Sequence, residues 1–333
     1  MEYKERKKLI KKLLLALTLM SLTFVTAAKQ KTNMYNDGKT FSGEYGQLYY
    51  KTQGHGTPVV IINGGPGGNH SIFVGWFEFL TNNNYQVVFF DETGRGRATR
   101  KVEGRKLSPQ MGVDDLESLR KELKTEKMII LAHSYGGIQG LQYALQYPQH
   151  VEKLLMVNAS YDAESWEMNL EHVKDYTRML YPERWQQLLK LREEGINSQD
   201  RRYARLLSLG ADMYFKDPSL NKTKRKVKTG DKRDRFNYQA YLDIIGDDPE
   251  WQLSGTLSGL TVKNRLKSFA VPTLILSGRH DKITTPEIVY RLYKMMSPKH
   301  TQLVMLEDSG HWPWVESTEE FESKVTDFLS DKP

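Results

Sequence analysis

The sequence has no cysteine among its 333 residues. Disulfide bonds, zinc–thiolate sites, a cysteine nucleophile and a bacterial lipoprotein anchor are therefore excluded. A chain of this length can bury a core that is stable without covalent cross-links. The absence of cysteine thus narrows the chemistry of a site but does not indicate a cellular compartment.

The sequence also lacks an apolar run of the ~20 residues that a membrane-spanning helix needs. The candidate for such a run is the uncharged segment Leu13–Ala27, which has only 15 residues. It follows six Lys or Arg and precedes Ala28. A basic start, a short apolar run and small residues are typical of a secretory signal peptide. We therefore predict an export signal cleaved after Ala27 or Ala28. The protein would then be periplasmic or secreted, with no stable membrane span, and an uncleaved anchor is the alternative.

Strong charge of one sign is missing once this segment is removed. Six positive and two negative charges leave with residues 1–28, so the formal net charge falls from +7 to +3. Nucleic acid is therefore not a predicted partner. One basic stretch remains, residues 222–235, with eight Lys or Arg. It is interpreted as a solvated loop, or alternatively as a contact with an anionic surface or substrate.

Short runs rich in Val, Ile, Leu and Phe alternate with helical segments after residue 40. Such runs are typical of strands buried on both faces of a parallel sheet. The predicted strands are Gln47–Lys51, Pro58–Ile62, Tyr85–Phe90, Lys127–Leu131, Val151–Val157, Thr273–Leu276 and Gln302–Leu306. The predicted helices are Val113–Leu123, Gly136–Tyr147, Pro286–Met295 and Thr318–Leu329. The alternation predicts the α/β class, with a mostly parallel central sheet flanked by helices.

The alternation stops near residue 161 and resumes after residue 265. The segment between is helical in pattern and rich in aromatic and charged residues. An insertion that leaves and re-enters a sheet predicts a helical cap over a site. The predicted organisation is a signal peptide (1–28), a linker (29–40), an α/β core (41–160 and 266–333) and a helical cap (161–265).

The segment Leu131–Gly137, Leu-Ala-His-Ser-Tyr-Gly-Gly, follows a predicted strand and opens a predicted helix. This context is that of a nucleophile elbow of the Gly-x-Ser-x-Gly type, with Ala132 in place of the first glycine. The turn needs small residues two positions before and after the serine. Ser134 is therefore the predicted nucleophile. Taken alone, a serine at a helix start could also be an N-cap.

A serine hydroxyl needs a base to take its proton, and in this fold the order along the chain is Ser, acid, His. His311 follows the last predicted strand and lies at the carboxyl edge of the sheet, whereas His300 precedes that strand. Asp281 follows the preceding strand at the same edge. His311 is thus the predicted base and Asp281 the predicted acid, with Asp162 as the fallback acid.

Two backbone N–H donors are needed for the oxyanion that forms during acyl transfer. Tyr135, directly after the nucleophile, provides one candidate. The glycine-rich turn Asn63–Gly68 follows a predicted strand, and Gly65 provides the second candidate because glycine allows close approach of the backbone. A phosphate-binding loop is rejected because no Gly-Lys-Ser/Thr follows and Pro66 removes a donor.

Five segments together carry a family resemblance: the turn Asn63–Gly68, Phe90–Arg97, the elbow at Ser134, Gly278–Asp281 and Ser309–His311. The sequence resembles α/β-hydrolases over about residues 41–330, and within them the proline iminopeptidase group of serine peptidases. That group usually has His at the position of Asn63 and Gly-Gly-Ser-Trp-Gly in place of Ala132–Gly136. It also has Arg and Ser at the positions of Thr93 and Ala98.

The resemblance implies an aminopeptidase that releases an N-terminal residue, often proline, from short peptides. Together with the predicted signal peptide, it makes an exported aminopeptidase the leading hypothesis. It also implies that cap acids hold the free amine of the substrate, for which the candidates are Glu164, Glu167, Glu171 and Glu183. No cofactor or metal is expected. An esterase acting on small or lipid-like acyl esters uses the same machinery and remains an alternative. A sensor that keeps the pocket but turns over little is the other alternative.

Overall fold

A computed structural model describes residues 38–101, 104–207, 211–227 and 230–330. The predicted signal peptide, residues 1–28, lies outside these residues. The described elements belong to the unit formed by residues 39–333. Within the described ranges, no helix is both long enough and apolar enough to cross a membrane.

Eight strands form one sheet, and seven of them correspond to the predicted strands. Their bounds are β1 Lys39–Ser42, β2 Gln47–Gln53, β3 Thr57–Ile62, β4 Tyr85–Asp91, β5 Met128–His133, β6 Val151–Val157, β7 Thr273–Gly278 and β8 Thr301–Leu306. Their spatial order is β1-β2-β4-β3-β5-β6-β7-β8. The pairs β1–β2 and β2–β4 are antiparallel and the others are parallel. The carboxyl ends of β3 to β8 therefore meet at one edge of the sheet.

Strand β1 differs from the sequence-based prediction. It begins at Lys39, inside the range 29–40 that was predicted as a linker. Only Phe41 of its four side chains is buried, and Phe41 pairs across the strands with Leu48. A four-residue edge strand with one buried side chain has too little periodicity to be recognised from sequence.

Helices cover both faces of the sheet and fill the connection between β6 and β7. Their bounds are α1 Pro109–Glu122, α2 Gly136–Gln146, α3 Ala163–Leu180, α4 Pro182–Glu193, α5 Arg201–Leu207, α6 Ala211–Tyr214, α7 Tyr238–Ile245, α8 Lys263–Leu266, α9 Pro286–Met295, α10 Pro313–Glu316 and α11 Thr318–Ser330. The four predicted helices correspond to α1, α2, α9 and α11. Parallel strands joined through helices bury both sheet faces, which explains the continuous apolar runs.

The segment between β6 and β7, residues 158–272, contains α3 to α8 and is called the inserted segment here. Hydrogen bonds and an ion pair hold it against loops at the carboxyl edge of the sheet. Asn237 donates its backbone N–H to Gly67 O at 2.8 Å and its side-chain Nδ2–H to Gly94 O at 2.5 Å. Arg100 and Asp243 form an ion pair at 2.7 Å. Side chains of the inserted segment therefore face the loops that carry the predicted site residues.

Candidate active site

Ser134 lies between β5 and α2, at the sharp turn that the sequence predicts. Its φ is +56°, a left-handed value that non-glycine residues rarely adopt. The backbone holds it there: Ser134 N–H donates to Val157 O at 3.2 Å, and Ser134 O accepts from Gly137 and Ser160. Strained residues of this kind cluster at functional sites because the surrounding structure fixes them.

Crowding explains why small residues flank the serine. A Cβ atom on Gly136 would lie 2.7 Å from Asn63 O and 2.8 Å from Ile62 O. A Cβ atom on Gly64 would lie 2.8 Å from the Cβ of Ser134. The glycine turn and the elbow are therefore packed backbone against backbone, as an oxyanion site between them requires.

His311 and Asp281 meet at the same edge of the sheet. His311 Nδ1 lies 2.8 Å from Asp281 Oδ2, and both residues are almost fully buried. The other carboxylate oxygen, Oδ1, accepts the backbone N–H groups of Ile283 at 2.8 Å and Thr284 at 3.0 Å. Because an ionised carboxylate only accepts, Nδ1 carries the proton and Nε2 is left as the basic nitrogen.

Ser134 and His311 line one pocket, but the described residues contain no hydrogen bond between Ser134 Oγ and His311. Such a bond is often long before substrate binds and shortens in the substrate complex. The arrangement therefore offers a hydroxyl and an oriented imidazole at one cavity, with a buried carboxylate behind the imidazole.

Two residues that sequence reasoning missed hold the loops that carry Asp281 and His311. Asn158, at the end of β6, donates from Nδ2 to Gly310 O at 2.6 Å and accepts at Oδ1 from Gly278 N at 2.8 Å. Glu316 accepts the N–H of Gly310 at 2.6 Å. Because these bonds span three loops, neither residue has a local signal that reveals its role.

The rejected and fallback candidates lie elsewhere. Asp162 is the N-cap of α3, where its carboxylate accepts the N–H of Ser165 at 3.0 Å. His300 lies before β8, at the opposite end of that strand from His311. Neither residue contacts His311 within the described part of the chain.

The two expected oxyanion donors have free N–H groups. Neither Tyr135 nor Gly65 donates a backbone hydrogen bond elsewhere within the described ranges. Gly65 lines the pocket with a φ of +105°, which favours glycine. The turn Asn63–Gly68 itself is closed by the N–H of Gly68, which donates to Gly64 O at 3.2 Å. The turn is thus fixed while one donor stays available to a ligand.

The pocket around Ser134 and His311 has a volume of about 490 Å³. This falls within the ~300–1,000 Å³ that small-molecule sites occupy. Much of its wall is aromatic and comes from the inserted segment, with Trp166, Tyr214, Phe236, Tyr238 and Tyr241. Among the described residues, no cluster of His, Asp or Glu could hold a metal ion.

His133, directly before Ser134, is buried against His311. Its Nε2 lies 3.0 Å from the carbonyl oxygen of His311, and the two rings are 4.7 Å apart. Burial, with a further contribution from His311, holds the pKa of His133 well below its ordinary value. A neutral His133 adds no positive charge that would compete with protonation of His311.

None of the four acids expected to bind substrate lines the pocket. Helix α3 turns Trp166, Asn169, Leu170 and Val173 towards the pocket, at the spacing of one helical face. Glu164 forms an ion pair with Lys263, and Glu171 with Lys174 at 2.6 Å. Glu167 and Glu183 are exposed. The structure therefore does not bring the expected acids of α3 to the pocket, because they occupy the outer face of that helix.

The acid that does line the pocket is Glu250, beyond α7. Its Oε1 accepts the Tyr241 hydroxyl at 2.9 Å, and burial raises its pKa, with Asp248 adding to the rise. Sequence reasoning missed Glu250 because its only local signal is that of an acid close to aromatic residues. Asp247 and Asp248 show the same signal. Asp247 is exposed, and Asp248 pairs with Arg192.

Comparisons with known proteins agree with this architecture. A family profile described as alpha/beta hydrolase fold matches residues 57–318. A proline iminopeptidase of Saccharolobus solfataricus is 26% identical over 93% of this chain and 97% of its own length.

Solved structures share the fold. VinJ superposes with a TM-score of 0.71 at 23% identity, covering 88% of this chain and 98% of its own. The proline iminopeptidase of Mycobacterium smegmatis gives a TM-score of 0.70 at 19% identity, covering 88% of this chain and 97% of its own.

Proposed function

Because the chain belongs to the α/β-hydrolase fold family, we propose that it is a serine aminopeptidase of the proline iminopeptidase type. Ser134 is the nucleophile, His311 the base and Asp281 the acid. The observation that carries the proposal is the geometry around Ser134. It combines a φ of +56° at an elbow with the 2.8 Å contact between Asp281 and His311, which lines the same pocket as Ser134.

The first half of the reaction forms an acyl-enzyme. Ser134 Oγ attacks the carbonyl carbon of the N-terminal residue while its proton moves to His311 Nε2. Asp281 keeps the Nδ1–H oriented and stabilises the imidazolium that forms. The N–H groups of Tyr135 and Gly65 donate to the oxyanion. In a comparable site each such donor lowers the activation barrier by about 3–4 kcal/mol.

Departure of the leaving group completes the acyl-enzyme: His311 returns its proton to the nitrogen of the departing peptide, and the carbon–nitrogen bond breaks. The second half regenerates the enzyme. A water molecule then attacks the ester carbonyl while His311 takes one of its protons. The ester carbon–oxygen bond breaks, His311 returns that proton to Ser134 Oγ, and the N-terminal residue leaves with a new carboxyl group.

Glu250 takes the role that the resemblance assigns to a cap acid, which is to bind the substrate's ammonium group. The carboxylate is desolvated by its surroundings, so an ammonium partner would restore favourable interactions that water no longer supplies. Asn169 lines the same pocket, but its Oδ1 is buried and accepts no hydrogen bond within the described residues. The carboxylate of Glu250 is thus the acceptor that the pocket offers to a cation.

The proposal is tested by comparing three substrates with the purified enzyme. We expect hydrolysis of prolyl-naphthylamide, a much slower reaction of its N-acetyl derivative, and loss of both in Ser134→Ala by about 10⁶-fold, as in a well-studied triad. Ser258→Ala is the control, since Ser258 is an exposed serine that does not line the pocket. Faster cleavage of a short p-nitrophenyl ester, with equal rates on free and acetylated amines, would assign the site to an esterase.

Export is a separate proposal, which rests on the composition of residues 1–28. A cleaved signal would leave a mature chain that begins at Ala28 or Lys29. N-terminal sequencing of protein purified from its native source tests this. Recovery of a chain that still carries Met1–Ala27 would instead indicate an anchor.

A further inference from the structure

The basic stretch 222–235 is not uniformly solvated. Lys222, Lys226, Lys232 and Arg233 are exposed, but Lys224 and Arg225 are partly buried and line the pocket. Burial lowers the pKa of both side chains, and Arg225 lowers that of Lys224 further. Two adjacent cations have therefore been brought out of water and to the cavity that contains Ser134 and His311.

Arg225 is held in place by its neighbours. Its Nη1–H donates to Ser71 Oγ at 2.6 Å and its Nη2–H to Asp234 O at 3.5 Å. These bonds fix the backbone segment that carries Lys224. Arg225 thus serves mainly to position the segment and to add positive potential.

Lys224 differs, because the described part of the chain gives its ammonium group no ion-pair partner. The Nζ atom lies 6.0 Å from the ring centroid of Trp312, which directly follows His311. A cation that is partly desolvated and unpaired is costly for the folded protein. An anion bound in the pocket would offset this cost.

Lys224 and Glu250 line the same cavity but contact different residues. Glu250 contacts Tyr241, and its pKa responds to Asp248. Lys224 contacts Trp312, and the positive charge of Arg225 lowers its pKa. Neither group contributes to the pKa shift of the other, and the described residues contain no ion pair between them, so the pocket that contains the nucleophile presents both a carboxylate and an unpaired ammonium group.

We propose that Lys224 binds a carboxylate on the residue that leaves, so that the preferred substrates are short peptides carrying both a free amine and a nearby carboxylate. This inference rests on the proposed aminopeptidase function. A dipeptide with a free C-terminus presents both charges directly across the scissile bond. An acidic side chain on the second residue would present the same chemistry.

Binding is measured first, in Ser134→Ala protein, so that the result does not depend on turnover. Calorimetry compares prolylglycine, prolylglycinamide and prolylaspartamide. We expect prolylglycine to bind at least about tenfold more tightly than its amide, the lower end for a charge-assisted hydrogen bond at a partly exposed group. Tight binding of prolylaspartamide as well would identify the carboxylate itself, rather than the C-terminus, as the recognised group.

The ratio of kcat/KM for prolylglycine to that for prolylglycinamide is then compared among variants. Lys224→Met should bring this ratio close to one, Lys224→Arg should largely retain it, and the exposed control Lys222→Met should leave it unchanged. An equal affinity for acid and amide, or an unchanged ratio in Lys224→Met, overturns the inference. If the enzyme cleaves prolyl-naphthylamide but shows no acid preference, only this inference fails. If it cleaves and binds none of these amines, the proposed function fails with it.

Discussion

Replacing Glu250 with Gln removes the negative charge of the pocket while keeping the side chain's size and its acceptor for the Tyr241 hydroxyl. A hydrogen bond to a charged partner contributes about 1.5–3 kcal/mol, which corresponds to a loss of about 10- to 150-fold in kcat/KM for substrates with a free amine. The N-acetyl substrate has no ammonium group, so its kcat/KM should change little.

Folding stability separates this loss from general damage. Burial raises the pKa of Glu250, which means that the ionised form is disfavoured in the ligand-free protein. Glu250→Gln should therefore melt at the same temperature as the wild type or higher near neutral pH.

The assay is steady-state hydrolysis of prolyl-naphthylamide and its acetylated derivative, with Glu167→Gln as the matched control on the outer face of α3. Two results would refute the reasoning. One is an unchanged kcat/KM for the free amine in Glu250→Gln. The other is an equal loss on both substrates together with a lower melting temperature.

Three further predictions concern the site and its support. Asp281→Asn should lower kcat by about 10⁴-fold with little change in KM, because His311 loses its orienting acceptor; a drop below tenfold in steady-state kinetics would argue against Asp281 as the acid. Gly136→Ala should destabilise the protein by about 1–3 kcal/mol, because its Cβ would overlap Asn63 O; denaturant unfolding tests this, and an unchanged midpoint would contradict it. Burial raises the pKa of Asp115 from 3.8 to about 6, so the folded state binds a proton that the unfolded chain releases. Stability should therefore fall by up to about 3 kcal/mol as pH rises through this window, and the melting temperature of Asp115→Asn relative to wild type should rise in parallel from pH 4 to 7.

The segments around the site could be predicted because their signals are local. The elbow needs a strand, a serine between small residues and a helix start, and all three lie within Leu131–Gly137. Asp281 and His311 could be chosen because parallel strands end at one edge of the sheet, so a residue's position after a strand fixes its side of the molecule. Periodicity and chain order were sufficient for these conclusions.

Tertiary structure alone decided which charges line the pocket. The face that α3 presents to Ser134 depends on how the inserted segment packs, and that packing turned Glu164 and Glu171 outwards. Glu250 and Lys224 both belong to the inserted segment, and they lie at the cavity in contact with Tyr241 and Trp312, respectively. The basic stretch likewise divides into exposed and partly buried members only in three dimensions. Burial and charge pairing are properties of the packed chain, and no local pattern encodes them.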